Sequence, residues 1–187
     1  KAKMTKQISL DSKKRLLEVA RESLENFLKN GQRTDYETEV PELQTKSAVF
    51  VTLRKKDSGN LRGCIGQTKA RYALIKAVAK TAISSAVDDP RFSTVTLDEL
   101  PNLCIEINVL SAMTSIPPEA VEVGKHGLLL SKGSSGGLFL PDVAVSNGWD
   151  RIIFLDELCR KADLPKGSWR DADTELYCFE SESWEEN

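Results

Sequence analysis

The sequence predicts an α+β fold: two β-β-α-β repeats forming two packed lobes, with an extra N-terminal helix. Three observations carry this reading. Apolar residues recur at helical spacing near the N-terminus, a period-two alternation runs through residues 103–109, and the order strand, strand, helix, strand occurs twice along the 187-residue chain.

In the first helix Leu16, Ala20, Leu24, Phe27 and Leu28 share a face, Ser9 or Asp11 caps the start, and Asn30-Gly31 forms the stop. Residues 32–46 are polar, contain Pro41 and read as a loop. Residues 48–53 are β-rich, 56–60 carry turn chemistry, and 61–67 complete a hairpin. Leu74, Ile75, Val78, Ala82 and Ala86 mark a helix over about 70–87, ended by Asp88-Asp89-Pro90. A turn near 96–100 leads into the clearest strand, where Leu103, Ile105, Ile107 and Val109 alternate with Cys104, Glu106 and Asn108. That apolar face is expected to be buried and the strand central.

The second half repeats the order. Residues 126–131 and 137–140 flank a turn over 131–136, a helix follows over about 151–162, and 174–179 reads as a strand. Pro117-Pro118 is the expected boundary, giving one domain over residues 1–187 with lobes of about 1–116 and 117–187 that are not independent. The acidic tail 180–187 is expected to fray, apart from Trp184.

Hydrophobic residues make up 40% of the chain and charged residues 29%, so it can bury a core without disulfide or metal staples. The net charge of −2 disfavours nucleic acid, which calls for a basic surface. No apolar run approaches the roughly 20 residues that span a bilayer. The basic stretch 1–7 leads into a charged helix and not an apolar signal core, so a cytoplasmic location without membrane association is expected. Cys64, Cys104, Cys159 and Cys178 show no paired spacing, and His126 is the only histidine; free thiols, no metal and no cofactor are expected.

The most specific segment is Leu61-Arg62-Gly63-Cys64-Ile65-Gly66. Glycines inside a strand mark a bulge or a close approach, either by a ligand or by a neighbouring helix. On a regular strand Arg62 and Cys64 share a face, which would favour the Cys64 thiolate; a bulge at Gly63 would break that geometry. His126 either caps a turn between two glycines or serves as the base of a cysteine–histidine dyad. Glu106 looks into a cleft or into water. Asp89 and Arg91 read as a loop clamp in preference to a catalytic pair, and Trp149, Phe154 and Trp169 as packing anchors.

The six-residue segment resembles the signature of the AMMECR family. Asp89-Pro90-Arg91-Phe92, the strand around Glu106, Gly124-Lys125-His126-Gly127, Leu140-Pro141, Gly148-Trp149 and Phe154-Leu155 match further family motifs in order. Asp142 departs from an expected glutamine, and Asp163 from an expected glycine. The resemblance implies the fold given above but no established reaction. It also implies association with MEMO-type and radical SAM proteins in a metabolite or nucleotide modification pathway.

Two functional readings follow. The favoured one is a small-ligand- or partner-binding component, with Arg62, Gly63, Ile65, Gly66 and Arg91 around the ligand. The alternative is an enzyme with Cys64 as nucleophile or proton donor, His126 as base and Glu106 orienting it, acting on a small polar or anionic substrate. Oligomeric state stays open, with a homodimer as one form.

Overall fold

The computed structural model of the chain describes residues 7–187; the basic run 1–6 lies outside them. Helix α1 (Leu10–Asn30) begins where Ser9 Oγ accepts the Ser12 amide at 3.2 Å, which settles the cap on Ser9, and stops at Gly31 with φ 72°. Its buried stripe includes Leu16, Val19, Ala20 and Leu24. The 32–46 stretch contains one helical turn, α2 (Pro41–Gln44). Strands β1 (Ala48–Lys55) and β2 (Leu61–Gly66) form the expected hairpin. Helix α3 (Leu74–Val87) starts at the first residue of its apolar pattern, later than the expected start near residue 70. The Leu74 amide donates to Thr45 O and the Ser47 amide to Tyr72 O, so tertiary pairing holds residues 72–74 extended. A capping box of Thr96 and Glu99 opens a 3-10 turn that delivers β3 (Leu103–Leu110).

The remaining elements are β4 (Thr114–Ser115), β5 (Gly127–Lys132), β6 (Ser135–Phe139), α4 (Pro141–Ser146), α5 (Arg151–Lys161), β7 (Glu175–Phe179) and β8 (Ser181–Glu185). The β5–β6 turn is tighter than expected: Lys132 pairs with Ser135, and Gly133 takes φ 59°. Helix α5 closes in a Schellman turn, with the Leu164 amide on Cys159 O at 2.9 Å and the Asp163 amide on Arg160 O at 3.0 Å. Asp163 occupies the left-handed position at φ 58°.

The chain divides into two compact units: residues up to Leu110 together with Glu182–Asn187, and Ser111–Ser181. The break falls ahead of Pro117-Pro118. The first sheet has the order β2-β1-β3-β8 and the second β4-β7-β5-β6. Each unit is the expected β-β-α-β repeat plus one strand that the sequence did not suggest. That strand comes from the continuation of the other repeat: β4 follows β3 but pairs with β7, while β8 follows β7 but lies beside β3.

In the first unit α1 and α3 pack on the Val49, Val51, Leu53, Ile105 and Ile107 face of the sheet. β3 is an interior strand. Leu103, Ile105 and Ile107 are fully buried, and Val109 is half-buried against the same core. The expectation of a frayed tail is corrected here. Trp184 packs on this core and donates Nε1–H to Lys13 O, Glu182 pairs with Lys13 at 2.7 Å, and Glu186 takes Arg21 through both oxygens at 2.6 Å. Two of the tail's acidic charges, Glu182 and Glu186, are thus matched by bases on α1. In the second unit Leu128, Leu130, Phe154, Leu155 and Leu158 form the core, with Trp149 and Trp169 packed on it.

Candidate functional site

The signature segment is β2, the edge strand of the first sheet. Cys64 lies opposite Thr52, and Thr52 lies opposite Glu106, so the three occupy one cross-strand row. Directly paired residues project to the same side, and this row lies on the face turned away from α1 and α3. Thr52 Oγ1 and Cys64 Sγ are 3.3 Å apart. Glu106 Oε1 accepts the Asn108 side-chain amide at 2.9 Å. Gly66, Phe50 and Asn108 form the next row.

The two glycines are explained by close approach. A Cβ on Gly63 would lie 2.1 Å from Ser85 O of α3, and one on Gly66 would lie 2.2 Å from the Phe50 ring. Gly63 thus lets the end of α3 settle onto the strand. Ser85 Oγ accepts the Ile65 amide at 3.1 Å and lies 2.7 Å from Val51 O and 3.0 Å from Thr81 O, donating its single proton to one of them. Ile65 pairs with Val51 and therefore faces the helices, on the side opposite Cys64.

Arg62 sits in a bulge. The register shifts between Leu53 and Arg54, so Leu53 faces Gly63 while Arg54 faces Leu61. The buried guanidinium makes a two-pronged pair with Glu99, at 2.9 and 3.2 Å, and donates to Ser93 O at 2.8 Å. That pair holds the Glu99 carboxyl below its ordinary range, with help from Thr96. Arg62 thereby anchors the 3-10 turn before β3, and its charge is committed to Glu99.

The outer edge of β2 is covered by the loop after α3. Asp89 Oδ2 accepts the Cys64 amide at 2.9 Å, and Arg91 reaches Cys64 O at 3.4 Å. Asp89 also accepts the Arg91 amide and two of its guanidinium N–H groups. This is the expected loop clamp, and it occupies an otherwise unpaired edge. The Arg91 side chain is half-exposed and its guanidinium lies 5.4 Å from the Phe92 ring centroid. First the Arg91 hydrogen bonds, then the Cys64 and Arg91 amides, hold the Asp89 carboxyl far below the usual carboxylate range against the opposing effect of burial.

His126 belongs to the second unit. Its Nδ1 accepts the Glu122 amide at 3.0 Å, and its own amide donates to Glu122 O, so the imidazole closes a local turn. An accepting Nδ1 is unprotonated, which leaves the proton of the neutral ring on Nε2. Cys64 and Glu106 therefore share a row in the first unit, while His126 is fixed within the second. Among the described residues, no cluster of three or more His, Cys, Asp or Glu side chains is arranged to hold a metal ion. Thr52, Ser85 and Glu99 were not singled out from the sequence. The available signal was a lone polar residue inside an apolar run at Thr52 and a serine pair, Ser84-Ser85, among small apolar residues of a helix.

A family model, AMMECR1, matches residues 17–184, a span that contains the whole site. The chain belongs to the AMMECR1 family. Its AMMECR1 relatives include protein PF1979 of Pyrococcus furiosus, 44% identical over 91% of this chain and 86% of that protein. Protein MK0488 of Methanopyrus kandleri is 35% identical over 98% of this chain and 92% of its own length. The crystal structure of the uncharacterized protein PH0010 from Pyrococcus horikoshii superposes with a TM-score of 0.90 at 42% identity, covering 96% of this chain and 94% of that one. The AMMECR1 fold is thus α+β in both. No helix among the described residues is long and apolar enough to cross a membrane.

Proposed function

We propose that this AMMECR1 protein is a binding component, and that a small ligand or partner protein is recognised on the face carrying Cys64, Thr52 and Glu106. The observation that carries the reading is how Cys64 is held. Its amide and carbonyl are both engaged by the Asp89–Arg91 clamp, and its sulfur neighbours the Thr52 hydroxyl. Such an environment fixes the position of the strand and does little to activate a nucleophile. Cys64, Glu106 and the exposed part of Arg91 supply the contacts, with Arg91 suited to an anionic group. Arg62, Gly63, Ile65 and Gly66 shape the strand from beneath.

The protein acts in the cytoplasm with MEMO-type and radical SAM proteins in modifying a metabolite or nucleotide, as the family resemblance implies. The test is calorimetric titration of the protein with a purified MEMO-type protein and, separately, with a radical SAM enzyme. Binding to either that is weakened by Glu106→Gln or Arg91→Ala, in variants that melt normally, is the expected result. Binding to neither removes the partner assignment. Binding untouched by both substitutions places the interface elsewhere. The second reading, an enzyme using Cys64, His126 and Glu106, has one observation in its favour, the shared row of Cys64 and Glu106.

A further inference from the structure

The helix side of the first unit carries a concavity, on the opposite side of the sheet from the Cys64 row. A cavity of about 310 Å³ opens between α3 and the irregular segment 33–36. Lys76, Ala79, Lys80 and Ile83 of α3 form one wall, since helical spacing puts them on one stripe, and Ser23 of α1 lies at the base. Ser23 Oγ donates to Ala79 O at 2.9 Å, so the two helices approach closely there through small side chains.

The lining is unbalanced in charge. Arg33, Lys76 and Lys80 are cations, and Asp35 is the single carboxylate among the lining residues. Lys76 is neutralised by Asp35 at 3.1 Å and Glu37 at 2.7 Å, contacts that pin the segment to α3, as does the buried Tyr36. Arg33 and Lys80 have no carboxylate partner among the described residues. Arg33 lies over the Phe27 ring at 4.9 Å and Lys80 over Tyr72 at 5.1 Å. A protein with a net charge of −2 thus gathers three cations around one concavity, two of them without a carboxylate partner among the described residues. Fields from like charges lining a cleft reinforce one another and concentrate counter-ions.

We infer that this cleft binds a small anionic molecule through a phosphate or carboxylate group, held by Arg33 and Lys80 against the wall made by α3. The site is distinct from the one proposed on the Cys64 face and does not depend on it. Arg33 supplies a planar two-donor fork and Lys80 a point charge, while Thr34 lies at the same rim.

The test is an amide chemical-shift titration of the intact protein with inorganic pyrophosphate in one arm and citrate in the other, against sodium chloride at matched ionic strength. The expected result is saturable shifts confined to residues 33–36 and 76–83 with at least one probe, absent with chloride. The arm that saturates at lower concentration names the anionic group. The doubly substituted Arg33→Gln, Lys80→Gln protein should bind about tenfold more weakly or worse, because two charge-assisted contacts are lost. Lys125→Gln, which removes a cation of the second unit, should leave binding unchanged. Both cleft substitutions replace exposed side chains, and an unchanged melting temperature confirms that the fold is intact. Absence of saturation with either probe overturns the proposal, as does binding that survives the double substitution.

Discussion

Asp89 holds three hydrogen bonds from Arg91 and one from the Cys64 amide, and its side chain is almost fully buried. Its carboxyl therefore ionises far more readily in the folded chain than in the unfolded one. A folded pKa lower than the unfolded value stabilises above the unfolded pKa, near 4 for Asp, and that contribution is lost as the pH falls further. Asp89→Asn keeps the shape but cannot accept through both oxygens as an anion. It should cost on the order of 1.5–3 kcal/mol at neutral pH, and the stability loss of the parent below about pH 4 should be shallower in the variant. Urea melts at pH 7 and pH 3 measure both; equal acid sensitivity of the two proteins would contradict this account. Asp163 offers a prediction of opposite sign. It sits at φ 58°, where a residue with a Cβ is strained and glycine is not. Asp163→Gly should raise stability by about 1 kcal/mol or less, seen as a higher urea midpoint with an unchanged slope. This strain was visible before the structure only as a departure from the expected glycine. The Asp89–Arg91 clamp was legible from charge and spacing. The Arg62–Glu99 pair was not, because its partners are 37 positions apart and a bulge decides where the guanidinium goes.

At the scale of elements, both repeats let a helix end settle onto the second strand of a hairpin through a glycine, but with different tightness. A Cβ on Gly63 would meet Ser85 O at 2.1 Å, whereas one on Gly137 of β6 would meet the Ala162 amide nitrogen at 3.2 Å and Leu158 O at 3.3 Å. Backbone cannot yield at the first distance without shifting α3. Gly63→Ala should therefore cost upwards of about 3 kcal/mol, and Gly137→Ala about 1 kcal/mol or less. Paired denaturation curves read the contrast, and equal losses would refute it. Element existence was readable where the pattern was long: α1, the β1–β2 hairpin, α5 and β3 stand close to their expected positions. The start of α3 was not readable, because the hydrogen bonds of Tyr72 O with the Ser47 amide and of the Leu74 amide with Thr45 O outweigh local helical preference. β8 was missed because charges at Glu182 and Glu186 suggested solvent. Their partners Lys13 and Arg21 lie far away in sequence.

For the whole molecule, the reciprocal placement of β4 and β8 bears on cooperativity. The first sheet takes its last strand from the C-terminus, and Trp184, Glu182 and Glu186 fasten that strand to α1. A fragment ending at residue 116 lacks all of these contacts. It should fail to give a sharp thermal transition, and the full chain should melt in one step; a soluble, cooperatively melting 1–116 fragment would show instead that the first repeat is self-sufficient. The duplicated β-β-α-β order was legible because hydrophobic periods repeat, while the strand exchange was not, since pairing partners leave no mark in local pattern. The proposed binding role rests on how Cys64 is held. Burial pushes the Cys104, Cys159 and Cys178 thiols up, so these three serve as slow references within the same chain. The decisive measurement is the iodoacetamide labelling rate of each cysteine at pH 7, folded and in denaturant, read by peptide mass. A strand element that is clamped and not activated should make Cys64 label more slowly folded than unfolded, with no change on His126→Ala. Labelling of Cys64 that is about tenfold faster in the folded protein, and that falls on His126→Ala, would contradict the binding account and establish a nucleophile.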